Sequence, residues 1–249
     1  MYTKDTFTDT KKIITRMRTF NHIKDRHFPE GYPDSMQKAI DDLVTWFLNK
    51  IGERFELQEI KTILDIGSLN GIESVKFTEK LPNCNVHTFE PNPESYKNVL
   101  ISTEGIDNIK VHNVAASNFI GKSDFHITYD NMGGSSLLEP SIIHKTGPSI
   151  SKIEVNVIKL DEWCLENSVS DVNVLWMDVQ GSELNIFKGM GDVLKDVKAI
   201  YVECSMIPYY VGAAHKDEVI EYLSKYDFEL ISETYHDNYE GDFMFLKRI

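Results

Sequence analysis

The sequence predicts an α/β fold, a mostly parallel sheet of seven strands with helices on both faces, and three observations predict it. An apolar run, Ile63, Leu64 and Ile66, meets Gly67 and then Gly71, which reads as a buried strand turning tightly into a helix. A second apolar strand at residues 86–89 ends in Glu90, nineteen residues past Gly71. Near the other end of the chain, strands at 228–232 and 243–247 flank the polar stretch YHDNYEGD and form an antiparallel hairpin.

The elements follow in chain order. Residues 1–28 hold Lys4, Lys11, Lys12, Arg16, Arg18, Lys24 and Arg26 against Asp5, Asp9 and Asp25, a local +4 in a chain of net −13, so the remainder carries −17. Such a basic arm can dock on its own acidic body, pair with a neighbouring subunit in a homo-oligomer, or cover an anionic substrate. Pro33 and Asp34 then open a helix whose Met36, Ile40, Leu43, Val44, Phe47 and Ile51 recur at helical spacing up to Gly52. The arm and this helix make an N-terminal unit, 1–58, ahead of a main domain at 59–249.

The first turn has the pattern D-x-G-x-x-x-G, from Asp65 through Gly67 to Gly71, with Leu69 where a dinucleotide-binding turn has its middle glycine. A pyrophosphate would find little bare backbone there, so a nucleoside ligand without phosphate, S-adenosylmethionine above all, suits the turn better. Asp65, Gly67, Ser68, Asn70 and Gly71 are candidate cofactor residues. Glu90, with Pro91 and Asn92 behind it, stands where an acid accepts hydrogen bonds from ribose hydroxyls. A helix at 93–100 and a third strand at 109–114 follow, the strand running out in Ala115 and Ala116.

Residues 122–129 and 153–158 alternate in polarity and predict two antiparallel strands added to the main sheet. Between them, 130–151 is rich in Gly, Ser and Pro and opens with Gly133, Gly134, Ser135 and Ser136; it reads as a lid or as a merely mobile loop. The fourth parallel strand, Val172–Met177, ends in Asp178, and a fifth, 199–202, ends in Glu203. If the two are neighbours, their carboxylates come side by side at the rim, either as a general base or as a pair sharing a cation. Gln180, Gly181 and Glu183 lie just past Asp178; Glu183 either faces the substrate or only caps its helix. A helix at 216–226 precedes the final hairpin.

At these blocks the chain resembles the FkbM family of class I, Rossmann-like, S-adenosylmethionine-dependent methyltransferases. The resemblance rests on ILDIGSLNG, VHTFEPNPESYKNV, GGSSL, VNVIKLDEW and, most specifically, VLWMDVQGSELNIFKGM. It implies that Ala115 and Ala116 lie against the adenine, and that the reaction is O-methylation of a sugar, a polysaccharide or glycolipid unit, or a natural-product hydroxyl. The candidate bases for the proton of that hydroxyl are Asp178 and Glu203 and, after them, His215 and His236; a metal, which no spacing indicates, would take the same two carboxylates. Methylation of an amine, a cofactor-binding subunit without catalysis, and a nicotinamide dehydrogenase stay open as alternatives, although the terminal hairpin is foreign to dehydrogenases.

The partner that the resemblance implies is a small-molecule or carbohydrate acceptor, and composition opposes two other classes. The net charge of −13 opposes nucleic-acid binding, which depends on clustered cations. No apolar run approaches the ~18 residues of a membrane span. Cys84, Cys164 and Cys204 are scattered and odd in number, as expected of reduced thiols, and the first residues lack the apolar core of a secretory signal, so a cytoplasmic location is expected.

Overall fold

The computed structural model describes residues 34–129, 131–141, 150–235 and 240–249. The basic arm and His236 lie outside them.

Ten strands and six α-helices make up the described residues. The main sheet has seven strands: β1 (Thr62–Ile66), β2 (Asn85–Phe89), β3 (Ile109–His112), β7 (Val172–Met177), β8 (Ala199–Ser205), β9 (Phe228–Tyr235) and β10 (Glu240–Lys247). Their order is β3-β2-β1-β7-β8-β10-β9; the first five run parallel, and β10 is antiparallel to both β8 and β9. The order reverses between β1 and β7, where ligands of open α/β sheets gather beyond the strand ends.

Both faces are covered. Helix α1 (Asp34–Gly52) packs Ile40, Val44, Phe47 and Ile51 with Phe77 of α2 (Ile72–Lys80) against Ile63, Val174, Trp176 and Tyr201. Phe47 meets Trp176 edge-on at 5.4 Å between centroids, and Trp176 stacks on Tyr201 at 4.0 Å. On the other face α4 (Leu160–Glu166), α5 (Glu183–Met190) and α6 (Lys216–Ser224) bury Leu160, Ile186, Phe187, Val219 and Leu223 against Leu64, Ile66, Leu175 and Val202. Alternate residues of each strand thus feed two cores. The fully buried pattern of β1 and β7 is what a central parallel strand requires. The sixth helix, α3 (Pro93–Ser102), follows β2 and starts on an Asn92 cap, whose side chain accepts from Glu94 N.

Two expectations need correction. The alternating strands β5 (Gly121–Thr128) and β6 (Ile150–Ile158) do pair antiparallel, but in a separate three-stranded sheet rather than as an addition to the main one. The third strand stops at His112, and Ala115–Ala116 is a strand of its own, β4, parallel to β6. The small sheet keeps its own core of Ala115, Phe125, Ile127, Val155 and Val157, so it needs no edge of the main sheet to bury its apolar face. Helix α4, inside the block read only as a motif, went unpredicted; with seven residues it is too short for a clear apolar period.

Candidate active site

The turn after β1 is shaped by backbone crowding. Gly67 leaves the strand at φ +83°, and a Cβ there would fall on the carbonyl of Asp178, so only glycine lets this turn lie against the end of β7. Gly71 caps α2 at φ +80°, where a Cβ would press on Val99 at 3.1 Å. Asp65 sits beneath the turn, buried, and accepts from Ser74 Oγ at 2.6 Å; burial pushes its carboxyl up to about 6. It supports the turn and is not part of the cavity wall, and the same holds for Ser68, Asn70 and Gly71.

Glu90 is held by two backbone amides. Leu69 N donates to Oε2 and Asn92 N to Oε1, each at 2.8 Å, and Asn113 Nδ2 donates to the Glu90 carbonyl at 2.8 Å. Desolvation still outweighs those amides, and the carboxyl is pushed up to about 7. A cavity of about 520 Å³, open to solvent, starts here. Its wall runs from Gly67, Leu69, Glu90 and Pro91, past Ala115, Ala116 and Phe125, to Asp178 and Ser182, with Met132, Gly133, Ser135 and Leu137 along the far side. Ser182 Oγ is buried on that wall without a hydrogen-bond partner among the described residues.

Asp178 and Glu203 come together through the β7–β8 register, in which Met177 is opposite Val202. One side chain joins them: Gln180 Nε2 donates to Asp178 Oδ1 and to Glu203 Oε2, each at 2.6 Å. Burial raises Asp178 to about 6, against the opposing hydrogen bond from Gln180. Glu203 is raised well above the usual carboxylate range, by burial and then by the charge of Asp178; a hydrogen bond between the two carboxyls lowers Asp178 and raises Glu203. Both carboxyls are thus held above their ordinary range, and the pair favours carrying a shared proton.

The Gly133–Ser136 stretch meets the same network. Gly133 and Gly134 lie in a short 3-10 turn, Ser136 Oγ donates to the Gln180 carbonyl at 2.8 Å, and Tyr210 Oη lies 2.8 Å from Gly134 O and 2.9 Å from Gln180 Oε1. Glu183 turns back on its own helix start: Oε1 accepts from Gly181 N at 2.8 Å, and burial raises the carboxyl to about 7. His215 caps α6, its Nδ1 accepting from Asp217 N at 3.2 Å while Glu218 Oε2 accepts from His215 N.

Sequence reasoning passed over Tyr210, Glu73, Glu240 and Asp242. Asp242 of β10 lies opposite Glu203 and adds negative charge near the pair, and Glu73 opens α2 with its carboxyl pushed up to about 8 by burial and by Asp65. Asp242 was read only as the end of a polar turn; its place beside Glu203 depends on strand order. No three His, Cys, Asp or Glu side chains among the described residues are grouped to hold a metal ion, and no described helix is long and apolar enough to cross a membrane.

The chain is 28% identical over 193 residues to the 2-O-methyltransferase NoeI of Sinorhizobium fredii, a match covering 72% of this chain and 76% of that protein. It is also 28% identical over 193 residues to the hexuronic acid methyltransferase AglP of Haloferax volcanii, over 78% of this chain and 73% of that one. Among solved structures, magnesium protoporphyrin IX methyltransferase of Synechocystis with bound SAM superposes at a TM-score of 0.49 and 10% identity, over 96% of this chain and 98% of that one. Residues 65–230 match the model of the methyltransferase FkbM domain, and the chain belongs to that family.

Proposed function

We propose that this enzyme transfers a methyl group from S-adenosylmethionine to a hydroxyl of a sugar or sugar-bearing acceptor. The observation that carries the reading is one continuous wall from Glu90 past Ala115 and Ala116 to Asp178. The residues suit the cofactor: Glu90, pinned by two amides, offers acceptor oxygens to a ribose diol. The two alanines leave room for a flat ring, and the unpartnered Ser182 hydroxyl and Asp178 stand ready for the amino-acid end. Bound there, the cofactor supplies an already activated sulfonium methyl.

The chain's own work is to align an acceptor oxygen, exclude water and remove a proton. Asp178 is the candidate base. It lies on the cavity wall, beside Glu203, and burial raises its proton affinity to about 6, within reach of a working base. Gly133 and Ser135, across the cavity, are the candidate cover over the acceptor. The names of NoeI and AglP support a sugar as acceptor.

Calorimetric titration of S-adenosylhomocysteine, S-adenosylmethionine and NADH, followed by transfer of labelled methyl to a panel of sugars, tests the reading. Micromolar binding of the adenosyl ligands and label on a sugar oxygen are expected. Binding of NADH alone, or label only on amines, overturns it.

A further inference from the structure

We infer that Gln180 is the positioning residue of this site: its single amide fixes Asp178 and Glu203 relative to each other and ties both to the Gly133–Ser136 segment through Tyr210. The inference rests on the role proposed above for Asp178.

The partners determine which way the amide points. Its nitrogen faces two carboxyl oxygens, which accept, and its oxygen faces the Tyr210 hydroxyl, which donates. Reversal would set the amide oxygen against two carboxyls. The main chain is as firmly held: the Gln180 carbonyl accepts from Ser136 Oγ at 2.8 Å, and the next amide, Gly181 N, donates to Glu183 Oε1. Gln180 itself sits at φ +55°, which residues with a Cβ rarely adopt, and Gly181 follows at φ +99° against Ala213. The turn between β7 and α5 thus spends a strained conformation on aiming one amide at two acids.

The surroundings explain why a donor is needed there. Asp178 is faced by Asp65 on β1, Glu73 on α2, Glu90 after β2, Glu183 on α5 and Asp242 on β10. Glu203 is faced by Asp242 and Glu240 on β10, by Tyr201 and Cys204 on β8 and by Tyr210. All of these are acids, phenols or thiols, and none of them offers Asp178 a positive charge. Donation from Gln180 favours the ionised form of the base, so its loss raises the proton affinity of the pair. The same amide oxygen meets Tyr210, which also reaches the carbonyl of Gly134, so seating of the glycine segment and setting of the base become one event.

The test is a carbon-detected NMR titration of side-chain carboxyls in the cofactor-free chain, comparing the parent with Gln180→Met, a variant of similar length that neither donates nor accepts strongly. The Asp178 midpoint is expected to rise by about one pH unit, a tenfold gain in proton affinity. With cofactor and acceptor, the acid limb of the kcat profile should move up by the same amount while the KM for the cofactor changes less than about threefold. Superimposable titrations overturn the inference. Should Gln180→Met fail to fold, Tyr210→Phe, which leaves Gln180 in place but loosens it, must move the midpoint in the same direction by less; no movement again overturns it. A parent that binds adenosyl ligands yet methylates no sugar sinks the proposed function, and the titration still decides for or against Gln180.

Discussion

The two ends of the cavity hold their acids by different means. At the β2 end, Glu90 is fixed by backbone amides of Leu69 and Asn92, atoms that stay whatever side chains the chain carries. At the β7 end, Asp178 and Glu203 meet each other and are bridged by a side-chain amide whose oxygen lies against Tyr210, which in turn reaches the glycine segment. Under the proposed function, the first arrangement is a fixed socket for the methyl donor and the second an adjustable seat for the base.

Predictions can break or sharpen this contrast. The largest effect belongs to the turn that joins the two ends: Gly67→Val should drive a side chain into the Asp178 carbonyl and cost more than about 4 kcal/mol, read as lost cooperativity in chemical denaturation. Next, Asp178→Asn should lower kcat by about 10²–10⁴-fold in methyl-transfer assays at saturating cofactor; retained rate would remove Asp178 as base. At the other end, Glu90→Ala should weaken S-adenosylhomocysteine binding by about 1–3 kcal/mol with little further loss at saturation. An equal loss in kcat would erase the distinction between the ends.

The pH dependence joins the two. Asp65 and Asp178 are raised to about 6 and Glu90 and Glu183 to about 7, all above their unfolded values. Glu73, raised to about 8, and Glu203 act in the same sense: the folded chain holds protons that the unfolded chain releases, and this contribution to stability is complete below about pH 4 and lost as pH rises through 6 to 8 and beyond. Activity runs the opposite way, because Asp178 must be ionised. Stability to unfolding should be greater at pH 5.5 than at pH 8, on the order of a few kcal/mol, while in the proposed mechanism kcat falls toward acid through about pH 6. The smallest effect is His215→Ala, which should remove a helix cap worth about 1 kcal/mol and leave kcat intact.

The socket was legible in the sequence and the clamp was only partly so. Gly67, Gly71 and Glu90 could be read because a buried strand, a glycine turn and an acid at the next strand end are local patterns. The meeting of Asp178 and Glu203 could be inferred from strand neighbours. Nothing local indicates that Gln180 bridges them or that Tyr210 reaches back 76 residues to Gly134, since such contacts depend on how loops from distant strands converge. The separate small sheet escaped for the same reason: two alanines carry no pattern of their own, and their partner, β6, lies some forty residues on.

That small sheet has a bearing on how specificity can change. Ala115 and Ala116 are at once its edge strand and part of the cavity wall, and Phe125 of the same sheet lines the cavity too. An exchange of the hairpin between relatives, or its redesign for a new acceptor, would leave the seven-stranded sheet and Gly67 untouched, yet it could not leave the ring slot untouched. If the alanines seat the methyl donor as proposed, acceptor choice and grip on the donor are inherited together, and an engineered swap should carry residues 115–158 as one cassette.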